Sequence, residues 1–85
     1  MAYRVAATTS AASQIRKLSP PIQARIVAKF RQLEENPRPQ GVQKLRGAGN
    51  VYRVRVGDFR ILYEISDDPP EVLVTSVADR KDAYR

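Results

Sequence analysis

The segment VYRVRVGDFRILYEI, Val51 to Ile65, alternates apolar and polar residues on both sides of Gly57-Asp58. Successive side chains of a strand point to opposite faces, so period-2 alternation broken by a two-residue turn signal predicts a tight antiparallel hairpin. With glycine in the first central position a type II′ turn is expected. Counting outward then pairs Val56 with Phe59, Arg55 with Arg60, Val54 with Ile61, Arg53 with Leu62 and Tyr52 with Tyr63. That register sends Tyr52, Val54, Val56, Phe59, Ile61, Tyr63 and Ile65 to one face and Arg53, Arg55 and Arg60 to the other.

The apolar face needs a cover, and the first half of the chain supplies one. Ile22, Ile26, Phe30 and Leu33 recur at helical spacing from Pro20 to Asn36, behind a Ser19 cap and a proline pair suited to a first turn. Asn36-Pro37, Pro39 and Gly41 end that helix, because a residue before proline avoids the helical conformation. A shorter helix is expected over Ser10–Leu18, with Ala11, Ile15 and Leu18 on one stripe, and Tyr3–Ala7 reads as an edge or first strand. Phe59–Ser66 and Glu71–Ala78 complete a three-strand meander with Val51–Val56. The expected fold is therefore α+β in the order β-α-α-β-β-β, with a helical hairpin on one face of the sheet. Residues 1–85 read as a single domain, and no repeat or linker divides them.

Charge separates the two faces further. The 85 residues carry fifteen Lys and Arg against nine Asp and Glu, a formal +6, and eleven of the cations are arginine. The charge favours a polyanionic partner, whether nucleic acid, an acidic protein or an anionic membrane surface, and arginine adds a planar fork of donors matched to phosphate. Between Lys44 and Arg60 there are five cations and one acid, Asp58. Arg55 directly opposite Arg60 is repulsive, and a bound anion would offset it. The competing account is a solvated face on which arginine stems cover apolar surface beside Glu64.

The composition excludes several chemistries. With no cysteine and no histidine there is no disulfide, no Cys–His nucleophile and no usual transition-metal site, and the commonest acid–base residue near neutral pH is missing. No cofactor and no metal are expected. The N-terminal stretch has no signal-peptide core and no apolar run reaches the length of a membrane span, so a cytoplasmic location without membrane association is expected.

Taken together, YRVAAT, RKLSP, NPRPQG followed by KLRG, VYRVRVGDFRILYEI and the ending SVADRKDAY resemble the RelE/ParE toxin superfamily over nearly the whole chain, and specifically its RelE-like mRNA interferases. The resemblance implies a RelE-like microfold and a toxin of a type II toxin–antitoxin system. It further implies a ribosome-dependent endoribonuclease that cuts mRNA in the ribosomal A site by metal-independent attack of the ribose 2′-hydroxyl. A cognate antitoxin, in a complex that could be a heterotetramer, and the ribosome with its mRNA are the implied partners. By position, Arg53, Arg55, Arg60, Arg80 and Tyr84 match the family's catalytic positions, and Lys44, Arg46 and Lys81 are candidate RNA or phosphate contacts. Some members have lysine where this chain has Arg53 or Arg55. A guanidinium does not surrender its proton, so these arginines suit charge stabilisation and not general base catalysis. The proton acceptor is open among Lys44, Glu64, Asp79, a ribosomal group, or alignment without a strong base. Two alternatives remain: a ParE-like toxin that inhibits DNA gyrase without nuclease activity, and a non-catalytic nucleic-acid-binding module.

Overall fold

The alternating segment forms the predicted hairpin in a computed structural model, which describes residues 2–45 and 49–79. Strands β1 (Arg4–Ala7), β2 (Gln43–Lys44), β3 (Val51–Val56), β4 (Phe59–Asp67) and β5 (Pro70–Asp79) accompany helices α1 (Thr9–Arg16) and α2 (Pro20–Glu35). The described strands make one five-stranded sheet in the order β1-β5-β4-β3-β2. The expected α+β class, helical hairpin and three-strand meander are all present. Two features differ from expectation: β2 adds a short edge strand, and β1, the first strand, pairs in parallel with β5, the last.

Register in the β3–β4 hairpin matches the count from the turn, from Val56 opposite Phe59 to Tyr52 opposite Tyr63. Gly57 has φ +58° whereas Asp58 keeps a negative φ, which excludes the type I′ geometry and fits type II′. The positive φ is what favours glycine here; a Cβ at Gly57 would lie 3.1 Å from the Arg25 guanidinium, the flexible end of a side chain on α2.

Helix α1 begins one residue earlier than the stripe suggests, because the Thr8 side chain accepts from the Ala11 amide at 3.1 Å. Helix α2 starts at the proline pair after Ser19, whose side chain makes no capping hydrogen bond. Its buried Ile26 and Leu33, with Ile22 and Phe30 partly buried, pack with Ala11 against Tyr52, Val54, Val56, Ile61, Tyr63 and Ile65 of the sheet. Each fully buried aliphatic side chain in this layer contributes roughly 1.5–3 kcal/mol.

Strand β5 joins this core only through a bulge. Leu62 pairs with Ser76 and Tyr63 with Val74, so Thr75 is the extra residue, and its hydroxyl donates to the Leu62 carbonyl at 3.3 Å. The extra residue shifts the alternation by one. Val77 on one side and Val74 and Val72 on the other thereby all reach the core, and Leu73 is turned to solvent.

Beyond the helices, the loop from Asn36 to Val42 is pinned to the far end of the sheet. Tyr63 donates to the Pro37 carbonyl at 2.8 Å, and Arg38 donates to the Tyr52 hydroxyl and to both oxygens of Asp67. Tyr3 donates to Asp67 at 2.6 Å, which draws β1 into the same cluster. These donors, Tyr3 first and Arg38 second, hold the Asp67 carboxyl below its usual range. A folded-state value below the unfolded one means the stabilisation is complete above about pH 4 and lost as the pH falls further. Asp67→Asn is expected to flatten the acid limb of a melting-temperature profile below that pH; an unaltered limb would refute the assignment.

Candidate functional site

The helices cover one face of the sheet, and the described elements leave the other open: Arg55, Glu64 and Leu73 are exposed on it. At the hairpin end of that open face, Arg53, Arg55 and Arg60 line a concavity of about 340 Å³ together with Gly41 and Gln43. The pleat explains the grouping. Arg53 and Arg55 are two residues apart on β3, and Arg60 is directly opposite Arg55 on β4.

Arg53 is held by a side chain that the charge pattern does not reveal. Its Nε and Nη2 donate to Gln43 Oε1 at 2.9 and 2.5 Å, because β2 pairs Gln43 directly with Arg53. The Arg55 side chain makes no hydrogen bond or ion pair among the described residues, which leaves its donors to solvent or ligand. The glutamate next along this face makes no ion pair with the cluster. Glu64 is about 13 Å from Arg60 at strand rise and only diagonal to Arg53, with which it forms no ion pair.

Lys44 goes elsewhere. It alternates with Gln43 on β2 and pairs with Tyr52, so it lies on the helix-side face with Nζ 6.0 Å from the Tyr52 ring centroid. The structure therefore separates Lys44 from the three arginines, although all four are close in sequence. Asp79 is opposite Phe59 and so falls on the same helix-side face, at the end of β5. Arg46, Arg80, Lys81 and Tyr84 lie outside the described residues.

Chemically, the concavity brings three permanent cations and a neutral amide together. It can bind an anion and stabilise growing negative charge on phosphate oxygens. Among the described residues that line it there is no carboxylate and no amine to accept a proton. No cluster of three or more His, Cys, Asp or Glu capable of holding a metal occurs among the described residues. The groups whose proton affinities are shifted belong to the opposite end of the sheet. Burial pushes the Tyr63 phenol up, and the bond to Asp67 pushes Tyr3 up. No described helix is long and apolar enough to cross a membrane.

Sequence and structure comparisons give consistent matches. A family model described as the ParE toxin of the type II toxin–antitoxin system parDE matches residues 5–84. Toxin RelG of Mycobacterium tuberculosis is 35% identical, with 100% of this chain and 99% of the relative covered. Among solved structures, the archaeal RelE–RelB complex of Pyrococcus horikoshii aligns with a TM-score of 0.84 at 27% identity, covering 94% of this chain and 97% of that one. A toxin–antitoxin complex of Mycobacterium tuberculosis aligns with a TM-score of 0.83 at 32% identity, covering 94% and 93%.

Proposed function

Since the chain belongs to the ParE toxin family, as a RelE-like toxin of a type II toxin–antitoxin system, we propose that it is a ribosome-dependent endoribonuclease and that its open arginine face holds the scissile phosphate. The observation that supports this most is the meeting of Arg53, Arg55 and Arg60 in one concavity on the uncovered side of the sheet. In the proposed reaction the ribose 2′-oxygen bonds to the adjacent phosphorus as its proton leaves. The bond to the 5′-oxygen breaks and that oxygen takes a proton from water or a ribosomal group, which yields a 2′,3′-cyclic phosphate and a 5′-hydroxyl.

Arg55 and Arg60 stabilise the charge that builds on the non-bridging oxygens, and Arg53 adds a third cation. Arg80 and Tyr84, carried over from the family pattern, act as a second phosphate contact or leaving-group aid and as a nucleotide-orienting ring. Because the described site has no base, alignment of the 2′-oxygen on the ribosome, or a ribosomal group, supplies what the protein lacks. Alignment alone reaches about 7–11 kcal/mol in model systems. The relatives solved as RelE–RelB complexes support an antitoxin partner. An acidic or amphipathic antitoxin segment lying over the arginine face would neutralise it by charge complementarity.

Primer extension on a reporter mRNA tests the proposal. Expected are new transcript ends that appear only when the message is translated in the presence of the protein. The family model carries the ParE name, which favours gyrase inhibition as the second reading. Intact translated mRNA together with blocked DNA supercoiling would overturn the nuclease reading in its favour.

A further inference from the structure

We propose that Gln43 is a positioning residue that fixes the Arg53 guanidinium for phosphate without neutralising it. The inference rests on the reading of the arginine face as a phosphate site. Gln43 is on the two-residue edge strand β2, directly across from Arg53, and its Oε1 accepts from both Nε and Nη2. A guanidinium has five N–H donors, and this contact uses two of them. The second Nη2 hydrogen and both Nη1 hydrogens remain, forming an end-on fork that the concavity can offer to a phosphate. Gln43 lines the same concavity, so its own amide hydrogens add a donor group there.

The choice of an amide matters chemically. A carboxylate at position 43 would accept the same two hydrogen bonds, but it would cancel one of the three cations that the site collects. An aliphatic side chain would preserve the charge and leave the arginine free to sweep its rotamers, a freedom that must be given up when ligand binds. Glutamine holds the orientation and keeps the charge. Lys44 cannot substitute, because strand alternation sends it to the Tyr52 side. The edge strand thus has a functional reason for its register: a slip of one residue would replace the amide with an ammonium and add repulsion beside Arg53.

The test uses the full chain with nitrogen-15 arginine labelling, together with a fluorescein-labelled single-stranded oligouridylate. In the wild type the Arg53 Nε–H is expected to exchange with water more slowly than that of Arg55, which serves as the unpaired control. Gln43→Ala is expected to lose that protection and to weaken RNA binding about three- to tenfold, the scale of one solvent-exposed charge-assisted hydrogen bond. Gln43→Glu is expected to retain the protection yet reduce the slope of log affinity against log salt by about 0.7, the loss of one phosphate contact on a single strand. A merely structural role for Gln43 would not divide the two variants in this way.

Unchanged protection or unchanged RNA affinity in Gln43→Ala overturns the proposal, as does an unaltered salt slope in Gln43→Glu. Neither readout involves ribosomes. A wild type that shows the expected pattern but leaves translated message intact therefore removes the nuclease reading and keeps the role of Gln43.

Discussion

Arg60→Ala and Arg55→Ala are each expected to lower single-turnover cleavage of ribosome-bound mRNA by about 10²–10³-fold, the usual loss on removing one preorganised donor to developing charge. The two side chains oppose each other across the hairpin on the rim of one concavity. In the proposed mechanism they act on the same phosphate, so the double variant should lose less than the product of the single losses. For Arg55→Ala, stability should move the other way, or not at all. Arg55 is exposed and has no described partner, and its truncation relieves a like-charge pair, so its melting temperature should be equal to or slightly above wild type. Full cleavage by Arg55→Ala would remove this residue from the mechanism. Arg55→Lys adds a useful contrast, since it preserves charge but loses the planar fork, and an intermediate rate is expected.

The largest stability effect is expected at Tyr63. Its side chain is 0% exposed, its ring stacks on Tyr52 at 6.0 Å, and its hydroxyl reaches the Pro37 carbonyl in the loop that leads to β2. Tyr63→Ala should cost about 3–5 kcal/mol. A domain of this length has only about 4–13 kcal/mol in total, so that variant should be largely unfolded at elevated temperature. Tyr63→Phe isolates the hydroxyl. It leaves a buried carbonyl without its partner, at a cost of about 1–2 kcal/mol, and should lower the melting temperature by about 4–16 °C. Thermal unfolding by circular dichroism measures both. A Tyr63→Phe protein that melts like wild type would show that the Pro37 loop is anchored by other contacts, Arg38 above all.

Particular residues show how far the pattern of the chain can be read without its fold. The pairing of Arg55 with Arg60 followed from a glycine-led turn two residues long, which leaves no freedom of register between β3 and β4. Gln43 was not legible. Two residues are too short to display a period, and among the cations of KLRG a neutral amide gives no electrostatic signal. The same brevity made Lys44 look like a member of the arginine cluster, although strand alternation puts it across the sheet beside Tyr52. In β5 the run VLVTSV contains valines at spacings that no single alternation can bury together, and the bulge at Thr75 resolves that conflict.

By itself, the sequence determined what local rules control: two helices with their apolar stripe, a hairpin in one register, a charged face opposite an apolar one, and an inventory without cysteine or histidine. Those features depend on backbone preference and period over a few residues. The tertiary structure alone decided which distant segments meet: β1 beside β5, the Asn36–Val42 loop on the Tyr52–Tyr63 pair, and Gln43 against Arg53. Such contacts follow from the packing of the whole chain around one small core, where the position of a two-residue edge strand is set by everything it leans on.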